Sequence, residues 1–229
     1  VTSETDDAPG FFGRRKGKKL RDEQADRLAR LLPMLRIDLA RPIVDPAALF
    51  SVPVRAIRLE IGFGGGEHLA DAAAREPDVG FIGCEPFVNG VAKLLAEVES
   101  RGLRNIRVHD GNAAYLLAKL PDACLERAYL LYPDPWPKRR QRKRRFVSAA
   151  SLKSLARVLK PAAEFRFASD IDDYVGWTLQ RVAANSDFLW TAERPDDWRR
   201  PFPDWPGTRY EAKAIREGRV PSYLTFRRV

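Results

Sequence analysis

Apolar positions along the chain follow two alternating periods. AIRLEIGF (56–63), VGFIGCE (79–85), RNIRVHD (104–110), LERAYLLY (125–132) and AEFRFASD (163–170) are short runs dense in apolar and β-branched residues, and each predicts a strand. Between them, apolar residues fall three or four apart in EHLADAAAR (67–75), FVNGVAKLLAEVESRG (87–102), RFVSAASLKSLARVLKP (145–161) and about 172–184, with a further short helix before residue 125. Gly102 stands where a helix C-cap belongs, and Pro161 is placed to end the helix before it. Residues 22–32 also carry helical spacing, which Pro33 breaks, and Pro42, Pro46 and Pro53 punctuate a connector reaching about residue 54. SYLTFRRV (222–229) reads as a C-terminal strand, antiparallel to the rest. Strand–helix alternation implies right-handed crossovers, so the expected fold is α/β: a doubly wound, mostly parallel sheet covered by helices on both faces. The expected organisation is a basic, disordered arm over residues 1–21, a helix and connector over 22–54, and one domain over 55–229. No internal repeat is visible.

A hydrophobic content of 45% with 31% charged residues is the composition of a folded chain. No run approaches the roughly 18 apolar residues that cross a bilayer, and residues 1–10 are polar and acidic. The expectation is a soluble, cytoplasmic protein with no membrane association and no obligate protein partner. Two cysteines (Cys84, Cys124) and two scattered histidines (His68, His109) suit neither a disulfide scaffold nor a zinc centre, so no metal is expected.

Charge changes this picture more by position than by total. The net charge is +9, yet residues 14–21 (RRKGKKLR) and 138–145 (KRRQRKRR) together carry thirteen positive charges and leave the remainder at −4. Such blocks attract phosphate backbones. For 14–21 a solvated, mobile arm is an equal reading; for 138–145 the preceding residues favour a nucleic-acid role.

Two motifs carry chemistry. Glu60-Ile-Gly62-Phe-Gly64-Gly65-Gly66 joins a strand to a helix, where glycines let a ligand approach backbone N–H groups. The dinucleotide fingerprint requires a third glycine at position 67, which is Glu67; the spacing fits instead the acid-x-Gly-x-Gly-x-Gly pattern of S-adenosylmethionine-dependent methyltransferases. Glu85 closes the next strand, where a carboxylate can accept from both ribose hydroxyls. The second motif is Tyr132-Pro133-Asp134-Pro135-Trp136-Pro137-Lys138 at the end of the fourth strand. Its three prolines stiffen a loop that holds an acid and an aromatic beside the predicted cleft, an arrangement suited to gripping a flat base.

LEIGFGGGEHL, FIGCEPF, LLYPDPWPKRRQRKRRFV, FASD and GTRYEAKAIREGR together resemble the bacterial tRNA (guanine-N7-)-methyltransferase family over roughly residues 55–229. The resemblance implies a Rossmann-like class I methyltransferase acting on guanosine 46 of the tRNA variable loop, with S-adenosylmethionine as donor and S-adenosylhomocysteine as product. It implies that Glu60, Glu85, Asn112 and Asp134 bind the cofactor beside Gly62, Gly64 and Gly66, and that Asp134 is also catalytic. It implies substrate contacts from Lys138, Asp170, Thr208, Arg209, Tyr210 and Glu211, and RNA contacts from Arg140, Arg142, Lys143, Arg144 and Arg145. At position 112 the family often has Asp; Asn still offers a donor and an acceptor to adenine, and Asp110 is an alternative.

Guanine N7 carries an in-plane lone pair and no proton, so this reaction needs no general base. Asp134 is therefore expected to orient the base and favour its cationic product. Asp170 reads equally as a helix cap, and the Pro- and Trp-rich stretch 195–206 either covers the cleft or packs on the sheet. Trp177 and Trp190 are expected in the core, Cys84 as an inert buried thiol, and His68 and His109 without catalytic role. Two alternatives share the fold: a nicotinamide-dependent oxidoreductase and a non-catalytic RNA-binding protein.

Overall fold

A computed structural model describes residues 12–229. Its strands are β1 (Ala56–Ile61), β2 (Val79–Cys84), β3 (Ile106–His109), β4 (Leu125–Leu131), β5 (Leu159–Ser169), β6 (Phe188–Trp190) and β7 (Ser222–Arg228). They form one sheet in the order β3-β2-β1-β4-β5-β7-β6. The first five run parallel, while β7 is antiparallel to both β5 and β6. β1 and β2 are buried at every position, as central parallel strands covered on both faces are.

The helices are α1 (Asp22–Leu35), α2 (Glu67–Arg75), α3 (Val88–Arg101), α4 (Ala113–Lys119), α5 (Ala149–Val158), α6 (Asp172–Ala183), α7 (Asp196–Arg199) and α8 (Arg209–Arg216). On one face, Leu69 and Ala73 of α2 and Val91, Leu94 and Leu95 of α3 pack on Phe81 and Val108. On the other, Leu116, Leu152, Leu155 and Tyr174 of α4, α5 and α6 pack on Leu59, Leu130 and Phe167. Chain order reverses between β1 and β4, which opens a crevice at their carboxyl ends, where this architecture binds ligands.

Four expectations change. Pro33 does not end α1: Arg36 N–H donates to the Leu32 carbonyl at 2.8 Å, and Leu32 with Leu31 and Leu35 packs in the α2–α3 cluster, which offsets the missing N–H for one more turn. The helix expected over 145–161 is shorter at both ends: α5 begins after Ser148, which caps it, and stops at Val158, and a separate 3-10 helix (Arg139–Arg144) precedes it. Pro161 lies instead inside β5, where the pairing with β4 slips between Leu125 and Arg127 and Ala162 takes a φ of 63°; the irregularity accommodates a residue that cannot donate to the ladder. Trp190 sits on the short edge strand β6, 41% exposed rather than in the core. Trp177 is half-buried and donates to the Val147 carbonyl.

The expected disordered arm falls partly outside the described residues. Of its remainder, residues 15–18 are tied to the start of α3: Val88 N–H donates to the Arg15 carbonyl, Gly17 N–H to Asn89 Oδ1 at 2.8 Å, and Asn89 Nδ2 to the Lys18 carbonyl at 2.8 Å. Among the described residues no helix is long and apolar enough to cross a membrane.

Candidate active site

Glu60, Glu85 and Asp134 lie at or just beyond the ends of β1, β2 and β4, three neighbouring strands. The glycine loop between β1 and α2 turns through Gly64 (φ 58°) and Gly66 (φ 80°), a left-handed region that other residues enter at a cost. Gly62, at φ 71°, is exposed at the mouth. A Cβ on Gly90 would lie 2.1 Å from the Gly64 carbonyl oxygen, so α3 presses its backbone directly on the loop. Glu85 holds the same loop from below: Gly64 N–H donates to Oε2 at 2.8 Å and Phe87 N–H to Oε1 at 2.9 Å. Burial pushes the Glu85 carboxyl above the usual carboxylate range, the two N–H donors pull it back, and Asp134 adds a further upward push. Glu60 is 3% exposed, with Oε2 2.7 Å from His68 Nδ1.

Asn112 caps α4, its Oδ1 accepting from Ala114 N–H at 3.0 Å. Asp110, the alternative at this strand end, is paired with Arg36 at 2.5 Å.

The loop after β4 is held by more than its prolines. Tyr132 and Trp136 both take positive φ, 49° and 43°, conformations that persist only where neighbours enforce them. Arg144 lies 4.9 Å over the Trp136 ring and 5.1 Å over Phe12 of the arm, and Arg145 Nε donates to the Pro135 carbonyl at 2.8 Å. Asp134 is exposed, so the upward push on its carboxyl from partial removal from water is modest; Arg14 opposes it.

The basic block divides by direction. Lys138, Arg139, Arg140 and Lys143 are exposed, with no ion-pair partner among the described residues. Arg142 pairs with Asp173 at 2.7 Å. Arg145, expected at the RNA, has a fully buried side chain that contacts Asp173 and lies over Tyr174 and Trp177, apart from the exposed cations of the block. Arg144 is half-buried in its aromatic sandwich.

The C-terminal motif also divides. Thr208 caps α8 by accepting from Glu211 N–H at 3.1 Å. Arg209 approaches Glu67 at 3.5 Å, and Tyr210, 46% exposed, leans with it over Gly64. Thr208 and Tyr210 thereby line a narrow cavity with Glu60, Gly62, Phe63 and Tyr132. Glu211 points inward instead: it is 7% exposed and accepts from Trp205 Nε1 at 2.8 Å and from the Tyr223 hydroxyl. Asp170 caps no helix; it takes Arg219 at 2.5 Å, which also grips Glu217.

Sequence patterning singles out neither His68 nor Arg219 beside these residues: His68 meets Trp205 and Arg219 meets Asp170, each far away along the chain. No group of three potential metal ligands occurs among the described residues.

The class follows from comparison with known proteins. Residues 54–222 match the family model "Putative methyltransferase", and the fold aligns with a Streptococcus mutans protein described as "a putative methyltransferase" and solved in complex with SAH (TM-score 0.51, 9% identity, 78% of this chain and 91% of that one). The strand order with its antiparallel β7 and the crevice at the end of β1 are therefore those of a class I methyltransferase. Within that class, the chain is 59% identical over 217 residues to the tRNA (guanine-N(7)-)-methyltransferase of Agrobacterium fabrum, covering 94% of each. It is 58% identical over 222 residues to the protein of the same name from Chelativorans, covering 96% of this chain and 95% of that one. The chain belongs to the tRNA (guanine-N(7)-)-methyltransferase family.

Proposed function

We propose that the protein transfers a methyl group from S-adenosylmethionine to N7 of guanosine 46 in the tRNA variable loop. One observation carries this reading: three carboxylates at neighbouring strand ends lie beside a rigid loop that runs directly into exposed cations.

The residues fit the donor. Glu85 has spent one lone pair on each oxygen and retains acceptor capacity for ribose hydroxyls. Glu60 offers a second, buried carboxylate, suited to a cationic amino group. The start of α2, where a dinucleotide would seat its pyrophosphate, carries the Glu67 carboxylate, which repels a phosphate and disfavours the nicotinamide alternative. Bound there, S-adenosylmethionine supplies an electrophilic methyl on a sulfonium.

The protein's own residues then align and stabilise. Asp134, exposed on a fixed loop, accepts from the N1–H and amino edge of guanine and favours the positive charge that the ring acquires. It abstracts no proton, since N7 has none. Arg209 and Tyr210 face the same cleft, and Lys138, Arg140 and Lys143 meet the RNA backbone. Asn112 borders the adenine side. The compartment implied by a tRNA substrate is the cytoplasm, and no step calls for a protein partner.

Labelled S-adenosylmethionine with unmodified tRNA, followed by cleavage at 7-methylguanosine, tests the reading. Label at guanosine 46 is expected. Label on another base would refute the position, and binding without transfer would favour a silent RNA-binding protein. Asp134→Asn is expected to lower the rate with no change in the shape of its pH profile; rescue confined to high pH would restore a general-base role.

A further inference from the structure

His68 is the second residue of α2, 6% exposed, and it touches both sides of the cleft. Its Nδ1 lies 2.7 Å from Glu60 Oε2. An ionised carboxylate only accepts, so Nδ1 carries the proton and donates. Glu60 is buried, and a buried carboxylate without a donor is costly, so this bond decides which way the carboxylate points. The ring itself is held between two aromatics. Tyr129 of β4 meets it edge-on at 4.7 Å, and Trp205 covers it at 5.3 Å and 35°.

Trp205 is in turn fixed from behind. Its Nε1 donates to Glu211 at 2.8 Å, Glu211 also accepts from the Tyr223 hydroxyl, and the indole packs edge-on against Phe202 and Tyr223. Three residues after Trp205, Thr208 caps α8, whose first residues Arg209 and Tyr210 reach over Gly64. The His68 ring is thus a joint between the Glu60 carboxylate and the segment that closes the cleft from the C-terminal side.

We propose that His68 is a positioning residue with two separable contacts: its Nδ1–H orients Glu60 for the cofactor, and its ring face seats Trp205 and so places Arg209 and Tyr210 for the tRNA. The same geometry makes Glu211 the anchor of Trp205 rather than a substrate contact. The inference rests on the reading of Glu60 as a cofactor ligand.

The two contacts can be removed one at a time. His68→Phe keeps a ring against Trp205 and loses the donor; His68→Asn keeps an N–H near the place of Nδ1 and loses the ring. S-adenosylhomocysteine affinity by calorimetry and affinity for an unmodified tRNA transcript by filter binding are measured for both and for the wild type, with thermal unfolding alongside. His68→Phe is expected to weaken S-adenosylhomocysteine about tenfold, as loss of a hydrogen bond to a charged group does, and to leave tRNA binding near wild type. His68→Asn is expected to restore cofactor affinity and to weaken tRNA binding several-fold. Wild-type affinities in both variants, or equal loss of cofactor in both, would overturn the proposal while leaving the cofactor site intact. A wild-type protein that binds no S-adenosylhomocysteine would overturn the reading of Glu60 and this inference with it. Should His68→Phe fail to fold, the two constants for His68→Asn still decide the matter.

Discussion

Glu85 accepts from the N–H groups of Gly64 and Phe87, and it does so from a buried position that raises its proton affinity. Acidification from neutrality therefore protonates it earlier than an ordinary glutamate, replacing an acceptor with a donor where the proposed cofactor would place its ribose. S-adenosylhomocysteine affinity is expected to fall as pH is lowered toward the carboxylate range. Stability linked to Glu85 moves the other way, because a folded state with a raised carboxyl pKa binds the proton more tightly than the unfolded chain. Calorimetric titrations and unfolding scans over one pH series check both signs, and Glu85→Gln is expected to flatten the binding curve. Glu60, Glu85 and Asp134 were legible in the sequence because a strand ending in an acid is a local pattern. His68 was not, since its meaning comes from Trp205, 137 positions away, and from a carboxylate it meets only after α2 has wound.

At the scale of elements, the basic block shows how one run of charge serves two ends. Arg142 on the six-residue 3-10 helix and Arg145 at its C-cap are three apart, one turn of such a helix, so both reach Asp173 on α6, while Arg140 and Lys143 face solvent. Lys143→Ala is expected to weaken tRNA binding, to reduce the slope of log affinity against log salt by about 0.7–0.9, and to leave the melting temperature unchanged. Arg145→Ala is expected to cost about 2–3 kcal/mol of stability, less than a fully buried pair because Asp173 remains partly solvated. Salt-dependent filter binding and denaturant unfolding of the two variants separate these roles. Composition alone could not divide the block, because the division depends on a helix type that charge patterning does not reveal. Helix limits failed for a related reason. Pro161 is tolerated in β5 through a slip in register, and Pro33 in α1 through packing on α3, neither of which has a local signature. The alternation that gave β1 to β5 was strong because these strands are short, apolar and separated by helices; β6 has three residues and too little pattern to register.

Across the whole molecule, contacts link the arm to the start of α3 and to the post-β4 loop. Asn89 pins the arm to α3, whose start follows directly on Glu85, and Phe12 reaches the loop through Arg144. Asn89→Ala is expected to release residues 14–21, with faster tryptic cleavage there and weaker tRNA binding, while the unfolding midpoint of the body stays close to that of the wild type. An unchanged cleavage pattern would show that the remaining contacts suffice to hold the arm.

The placement of β7 sets an order on synthesis. It follows β5 and β6 in the chain, yet it lies between them and buries Leu224 and Phe226 in the main core. A ribosome that has finished β5 and β6 has delivered two strands that cannot pair with each other, each exposing an open edge of the kind that recruits other chains. The interval of translation between β6 and β7 is thus one of vulnerability to aggregation. A message cut short by a few codons before residue 222 would yield a chain that carries every carboxylate and cation of the site and has no means of closing the sheet beneath them.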